Sequence, residues 1–131
     1  MTNQPLSADE RENGSMFAPK FDHEGLLTAV VVDAACGEVL VVAHMNIAAI
    51  DCTLESGNVT FWSRSRQRLW MKGESSGNVL KLVEMLVDCD QDALLIRAVP
   101  AGPTCHTGAR SCFYRRLERG EGGPALVKVK T

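Results

Sequence analysis

Short apolar runs separated by turn residues make up most of this chain, and this pattern indicates several β-strands and few helices. Two runs rich in valine occupy residues 26–32 and Val39–Met45. Between them lie Cys36 and Gly37, which are suited to a tight turn. The pattern therefore predicts a β-hairpin.

One segment has the features of a helix instead. Asn46 suits an N-cap, apolar residues then recur at helical spacing, and Gly57 stands where a C-cap belongs. We therefore predict a helix over residues 47–56.

The remaining apolar runs predict further strands at residues 59–62, 79–87, 93–99 and 112–117. Many short strands with one good helix predict an α+β fold built on a mostly antiparallel sheet. Residues 1–20 are polar and without a sustained period, which predicts a flexible arm. The glycines from residue 118 onward predict a mobile tail at 118–131, although residues 126–129 could pair at a sheet edge. The folded domain is thus expected at residues 21–117.

Composition narrows the class of protein. A length of 131 residues suits one domain with a real core. The net charge of −2 argues against nucleic acid as a partner, and no apolar run is long enough to span a bilayer. Five cysteines is an odd number for a disulfide-stapled secreted domain. We expect a cytoplasmic protein with reduced thiols and no membrane partner.

Three cysteines in the second half of the chain, Cys89, Cys105 and Cys112, are candidate zinc ligands. Their spacing lacks the C-x-x-C pairs of structural zinc sites, and three thiolates without an obvious fourth ligand would leave a position open, as in catalytic zinc sites. The alternative is that free cysteines fill the core like small apolar residues. That interpretation suits Cys36 and Cys52 better, because neither has neighbouring ligands.

The acidic run D-C-D-Q-D at residues 88–92 offers carboxylates to a hard cation such as magnesium. In a strand, Asp88, Asp90 and Asp92 would share one face and Cys89 would point to the other, so carboxylates and thiol would serve separate metals. An acidic hairpin turn is the open alternative.

A basic stretch with two tryptophans runs from residue 62 to residue 77 and ends in a Ser/Gly turn. Guanidinium groups and turn amides are suited to phosphate esters. The alternatives are a solvated strand edge or an RNA-stacking groove, and the acidic net charge disfavours RNA. The candidate phosphate-binding residues are Arg64, Arg66, Lys72, Ser75, Ser76 and Gly77.

Five segments occur in order between residues 21 and 116: G-L-L-T-A-V-V-V-D, V-V-A-H-M-N, W-S-R-S-R-Q-R-L-W-M-K-G-E-S-S-G-N-V, V-D-C-D-Q-D-A-L-L and G-P-T-C-H-T-G-A-R-S-C-F-Y-R. Together they closely resemble the phosphoribosyl-AMP cyclohydrolases of histidine biosynthesis. Two positions depart from the family pattern. His44 stands where a tyrosine is usual, and Gln91 stands where glycine is common.

The resemblance implies a function and its ligands. The reaction would be hydrolysis of the N1–C6 bond in the adenine ring of N1-phosphoribosyl-AMP by a zinc-activated water. His106, next to a zinc ligand, is the best candidate to carry a proton to N1, unless it only orients its loop. The implied ligands are Cys89, Cys105 and Cys112 for zinc and Asp88, Asp90 and Asp92 for magnesium.

The resemblance also implies an intertwined homodimer with zinc at a two-fold interface. Strand alternation, which would turn Cys89 away from the carboxylates, and open strand edges favour a site shared between chains. A site within one chain stays open, because the fifteen residues between Cys89 and Cys105 could form a returning loop. Two rival functions remain, a zinc deaminase and a non-enzymatic zinc-binding or RNA-binding module. The deaminase signature H-x-E with P-C-x-x-C is absent.

Overall fold

The computed structural model describes residues 6–129, which contain two helices and eight strands. In chain order these are α1 (Ala8–Asn13), β1 (Leu27–Asp33), β2 (Val39–Met45), α2 (Ile47–Ser56), β3 (Thr60–Ser63), β4 (Arg68–Met71), β5 (Leu80–Val87), β6 (Ala93–Pro100), β7 (Arg115–Gly120) and β8 (Gly123–Lys128). A four-stranded sheet has the order β2-β1-β6-β5, and the pairs β3-β4 and β7-β8 form two smaller sheets.

Most of the strand pairing is antiparallel, and β1 with β6 is the parallel exception. Alternate residues of β1, namely Leu27, Ala29 and Val31, are buried in the core together with Ile96 of β6 and Phe61 of β3. The predicted α+β class with a mostly antiparallel sheet and one main helix is therefore confirmed.

Helix α2 lies where the sequence predicts it. The side chain of Asn46 accepts a hydrogen bond from the Ala49 N–H at 2.8 Å, which satisfies one of the free donors of the first turn. Gly57 ends the helix in the left-handed conformation, with φ at 77°. Ala49 and Ile50 pack into the core. None of the helices in residues 6–129 has the length and apolar character needed to cross a membrane.

The N-terminal region contains a helix that the predicted arm over residues 1–20 did not include. In α1, the Ser7 hydroxyl accepts from the Glu10 N–H at 3.1 Å, and the Glu10 carboxylate accepts from the Ser7 N–H at 3.1 Å. This reciprocal capping box supports a helix that has no buried residue. Residues 1–5 of the predicted arm lie outside the described part of the chain.

The second half differs from the prediction in three places. Strand β4 was missed, because its four residues lie within the basic stretch, which was interpreted only as a phosphate-binding segment. The last predicted strand, 112–117, begins three residues later, because the Cys112 N–H donates to the Leu40 carbonyl and belongs to a docked loop. Strands β7 and β8 then form a hairpin where a mobile tail was expected.

The face of the four-stranded sheet that points away from the core carries an apolar row. Val42, Val30, Leu95 and Leu86 lie opposite one another across β2, β1, β6 and β5. Val42 is 42% exposed, Leu95 39% and Leu86 45%, so the row is open in a single chain. Exposed apolar surface of this kind is typical of an association surface.

Candidate active site

The acidic run forms the turn between β5 and β6, so the hairpin-turn alternative is confirmed. The Asp88 N–H donates to the Ala93 carbonyl, and the Gln91 N–H donates to the Asp88 carbonyl, both at 3.1 Å. The expectation that the three aspartates share a strand face is wrong, because the chain reverses here. The turn nevertheless brings them together.

Asp88, Asp90 and Asp92 each offer an oxygen within 4.8 Å of the other two. Among residues 6–129 no other group of three His, Cys, Asp or Glu side chains is this close. One Asp90 oxygen, Oδ1, is buried and has no hydrogen-bond partner in that part of the chain. A buried carboxylate oxygen without a donor, set among other carboxylates, is an arrangement that a hard cation satisfies. These residues therefore fit a cation such as magnesium.

The carboxylates differ in how readily they ionise. Burial raises the pKa of Asp88, but hydrogen bonds from Asp92 and from the backbone N–H of Ala93 outweigh it and leave the pKa lowered. Both backbone donors, Asp92 N and Ala93 N, lie at 2.9–3.0 Å from Asp88 Oδ1. Hydrogen bonding to Asp88 and Asp90, and then repulsion by their charges, raise the pKa of Asp92 to about 6. A bound cation would take the place of that proton.

The cysteine loop, residues 101–114, is held by an ion-pair network at the β1–β2 turn. The Arg110 guanidinium donates to Asp33 at 2.6 Å and to Glu38 at 3.0 Å. The backbone N–H of Ala35 and then Arg110 lower the pKa of the mostly buried Asp33. Two charged partners on one guanidinium fix its position, so Arg110 anchors the loop to the sheet.

Two further bonds connect the same loop to strand β2. The Ser111 hydroxyl donates to the Val39 carbonyl at 2.6 Å, and the Cys112 N–H donates to the Leu40 carbonyl at 2.8 Å. These bonds set the position of the Cys112 thiol.

The two thiols of this loop have different tendencies to ionise. The Thr107 hydroxyl donates to Cys105 Sγ at 3.1 Å and lowers the pKa of Cys105, although burial opposes this. Burial and the nearby Cys105 charge raise the pKa of Cys112. The charge of Lys72 favours the thiolate at both positions. A thiol pair supported in this way fits part of a zinc site.

The third candidate zinc ligand lies elsewhere. Cys89 is exposed in the acidic turn and lines a cleft of about 280 Å³ together with Asp88. Within the described residues of one chain, the three thiols do not form a group with all members inside 4.8 Å. One chain therefore presents the candidate zinc ligands as two separate parts.

A second cleft, of about 400 Å³, lies between the basic stretch and the cysteine loop. It brings together several predicted residues, namely Arg66, Lys72, Ser75, Ser76, Cys105 and His106. The two other predicted phosphate-binding residues, Arg64 and Gly77, do not line it, and neither do Cys112, Cys89 or the three aspartates. His106 is exposed. Thiol, imidazole and cationic groups thus face one space.

The basic wall of this cleft is ordered by aromatic packing and by a tight turn. The Lys72 ammonium lies 5.6 Å from the centre of the Trp70 ring, and that ring packs against Phe61 with 5.2 Å between centroids. Gly73 has φ at 86°, and a Cβ there would lie 2.4 Å from the Asn78 carbonyl carbon, so only glycine fits.

The Ser/Gly turn also has free backbone donors. Within residues 6–129, the N–H groups of Ser75 and Ser76 donate to no protein acceptor, whereas the Gly77 N–H donates to the Gly73 carbonyl at 2.8 Å. Free amides in a turn suit an anion.

Sequence reasoning missed several residues that shape the site. Thr104 is buried in the cleft wall, and its hydroxyl lacks a hydrogen-bond partner among residues 6–129. Thr107 and Arg110 support the cysteine loop, and only their place in the quoted G-P-T-C-H-T-G-A-R-S-C-F-Y-R segment could have indicated them. Gln91, with φ at 60°, occupies a position where a glycine would be unstrained, and that departure from the family pattern was its signal.

Taken together, these features define an α+β domain that carries a carboxylate cluster, a thiol-bearing loop and a basic cleft. Comparison with known proteins identifies the family. The family model described as Phosphoribosyl-AMP cyclohydrolase matches residues 41–114. The chain therefore belongs to the phosphoribosyl-AMP cyclohydrolase family.

Individual relatives are similar in sequence over nearly the whole chain. The phosphoribosyl-AMP cyclohydrolase of Rhizorhabdus wittichii is 61% identical, with 92% of this chain and 95% of that protein covered. That of Erythrobacter litoralis is 57% identical, with 96% and 98% covered. That of Rhodopseudomonas palustris is 55% identical, with 98% and 90% covered.

Proposed function

We propose that this chain is a hydrolase that opens the adenine ring of 1-(5-phosphoribosyl)-AMP during histidine biosynthesis. The oxygen of a water molecule bonds to C6, the C6–N1 bond breaks, and N1 takes up a proton. The product is an imidazole carboxamide ribotide that keeps the exocyclic nitrogen. The observation that carries the proposal is the cleft in which Cys105 and His106 face Arg66 and Lys72, in a chain of this family.

Two metals belong to this proposal. We propose that Cys89, Cys105 and Cys112 hold zinc, which when bound lowers the pKa of a water to about 7. The lowered pKa of Cys105 and the charge of Lys72 support thiolate ligands there. For the second metal, magnesium, the proposed ligands are Asp88, Asp90 and Asp92, supported by their spacing and by the orphaned Asp90 oxygen.

The protein groups would then act directly on the substrate. His106 is exposed beside Cys105, so a ring nitrogen can hand a proton to N1 as the C6–N1 bond breaks. Arg66, Lys72 and the free amides of Ser75 and Ser76 would bind a phosphate. Arg64 adds positive charge in the exposed turn between β3 and β4, and Gly77 shapes the Ser/Gly turn.

We also propose that the protein acts as an intertwined homodimer in which each active site takes residues from both chains. Two observations support this. Cys89 and the aspartates lie apart from Cys105 and Cys112 in one chain, and the apolar row on the sheet is exposed. A second copy would bury that row and could bring Cys89 to the cysteine loop. Reduced thiols suit a cytoplasmic setting.

The function can be tested by incubating the zinc-loaded protein with 1-(5-phosphoribosyl)-AMP and magnesium. We expect the ultraviolet spectrum to change as the purine ring opens, with a product 18 mass units heavier and no ammonia released, since one water is added and nothing leaves. A deaminase would instead release ammonia. A protein that leaves the substrate intact and binds RNA tightly would contradict the proposal and favour a binding module.

A further inference from the structure

Gln91 is an unusual residue in the middle of the acidic turn. It lies between Asp90 and Asp92, with φ at 60°, where a residue with a side chain is strained by about 1 kcal/mol or more relative to glycine. The residue is nevertheless only 6% exposed, whereas Asp92 beside it is exposed. A buried polar side chain in a strained position needs compensating contacts.

Within residues 6–129, the hydrogen bonds of the Gln91 side chain and of its backbone carbonyl go to the N-terminal segment, residues 11–20. The Gln91 side-chain carbonyl accepts from the Ala18 N–H at 2.7 Å. Its side-chain amide donates to the carbonyls of Arg11 at 3.1 Å and Met16 at 3.2 Å. Its backbone carbonyl accepts from the Lys20 N–H at 2.7 Å. Four hydrogen bonds thus join one turn residue to a segment more than seventy positions away.

The N-terminal segment also contains an internal hydrogen bond, and it lies beside two of the candidate metal ligands. The Arg11 guanidinium donates to the Ala18 carbonyl. Arg11 and Phe17 line the cleft of about 280 Å³ that also contains Asp88 and Cys89. The N-terminal segment therefore forms one wall beside the acidic turn.

From these contacts we infer that Gln91 is a positioning residue, which joins residues 11–20 to the acidic turn so that segment and carboxylates are ordered together. This inference rests on the proposed cation site at Asp88, Asp90 and Asp92. The three aspartates repel one another, and a turn held from outside loses less freedom when a cation gathers them. By reciprocity, a cation that binds better when the segment is docked must also hold the segment in place.

The test uses the zinc-loaded full-length protein and Mn²⁺ as the probe cation. Gln91→Gly keeps the left-handed backbone and removes the side-chain bonds. We expect its Mn²⁺ dissociation constant to rise about tenfold with zinc content unchanged. Amide hydrogen exchange over residues 11–20 should speed up, and Mn²⁺ should slow that exchange in the wild type more than in the variant.

Two further variants complete the test. Gln67→Gly is the matched control, because Gln67 also has a positive φ, 51°, but lies in the β3–β4 turn, and it should change neither Mn²⁺ binding nor this exchange. Ala18→Pro removes the N–H that donates a hydrogen bond to the Gln91 side chain, and it leaves the sequence of the acidic turn unchanged. This variant should also have a higher Mn²⁺ dissociation constant than the wild type.

The outcomes separate this inference from the proposed function. Faster exchange with an unchanged Mn²⁺ constant in Gln91→Gly and Ala18→Pro would mean that the contacts are merely structural, and would overturn the inference alone. A wild type that binds no Mn²⁺ would overturn the proposed cation site and the inference with it. The proposed hydrolase activity would still be tested separately, by the ring-opening assay.

Discussion

The acidic turn at residues 88–92 and the cysteine loop at residues 101–114 each present candidate metal ligands, but different interactions hold them. The acidic turn is short, and local bonds such as those from Asp92 N and Ala93 N to Asp88 gather its carboxylates. Gln91 also joins this turn to the N-terminal segment. The cysteine loop is longer and depends on contacts distant in sequence, above all Arg110 with Asp33 and Glu38. Only the loop faces the basic cleft.

This difference indicates that the two regions contribute different chemical groups to the candidate site. The turn gathers three carboxylates without help from the loop, whereas the loop places two thiols beside an imidazole and a lysine. Cys89 lies with the carboxylates and not with the other thiols. Neither region alone contains the complete set of proposed zinc ligands, which is why we propose that the two regions meet between chains.

The largest expected effect comes from the cysteine loop. Cys105→Ala or Cys112→Ala should abolish turnover and lower the bound zinc, because each removes one of three proposed thiolate ligands. Cys36→Ser and Cys52→Ser are the controls and should leave zinc content and activity nearly unchanged. Zinc analysis measures the bound zinc, and the ring-opening assay measures turnover. Full activity in a zinc-free Cys112→Ala protein would refute a catalytic zinc.

Next comes a change confined to the acidic turn. Asp90→Asn should weaken magnesium binding by at least about tenfold, since a direct ligand should matter no less than an outer partner of a metal. Zinc content should stay the same, because the thiols are not altered. Magnesium titration of activity together with zinc analysis would test this. If zinc and magnesium were lost together, the separation of the two regions would be wrong.

A smaller effect should appear on changing pH. The pKa of Asp92 is raised to about 6, so this carboxyl holds a proton below that pH and must lose it to bind a cation. Cation affinity should therefore rise with pH, by about tenfold between pH 5 and pH 7, and level off above. Mn²⁺ titrations across this range measure it, and Asp92→Asn should remove most of the slope. An affinity that did not change with pH in the wild type would contradict the raised pKa.

The sequence predicted the fold where local signals and the final structure agree. Helix α2 and strand β2 have their predicted bounds because Asn46, Gly57 and the valine-rich run specify them locally. Strand β4 was missed because a run of four residues, of which only Arg68 is basic, is too short to show strand alternation. Strand β7 was misplaced because the docking of Cys112 on β2 is a long-range contact. Helix α1 depends on a capping box between Ser7 and Glu10 that was overlooked.

In the candidate site, too, locally specified features were predicted and features that depend on long-range contacts were not. The aspartates were grouped correctly, although for the wrong reason, since a turn and not a strand face brings them together. The support given by Arg110 and Thr107, and the hydrogen bonds of Gln91 to the N-terminal segment, could not be predicted from local patterns of apolar and polar residues. The partners of Gln91 and Arg110 lie more than seventy positions away in the sequence, up to eighty for Gln91 with Arg11. Thr107 contacts the Cys105 thiol, whose burial only the fold reveals.

Whether the acidic turn of one chain serves the cysteine loop of another can be decided by mixing two inactive variants. Cys89→Ala and Cys105→Ala should each be inactive alone. Unfolded and refolded together in equal amounts with zinc, they should regain about a quarter of the wild-type activity, because half of randomly formed dimers are heterodimers and each has one intact site of two. Heterodimers that form but remain inactive would contradict the shared site and place it within one chain.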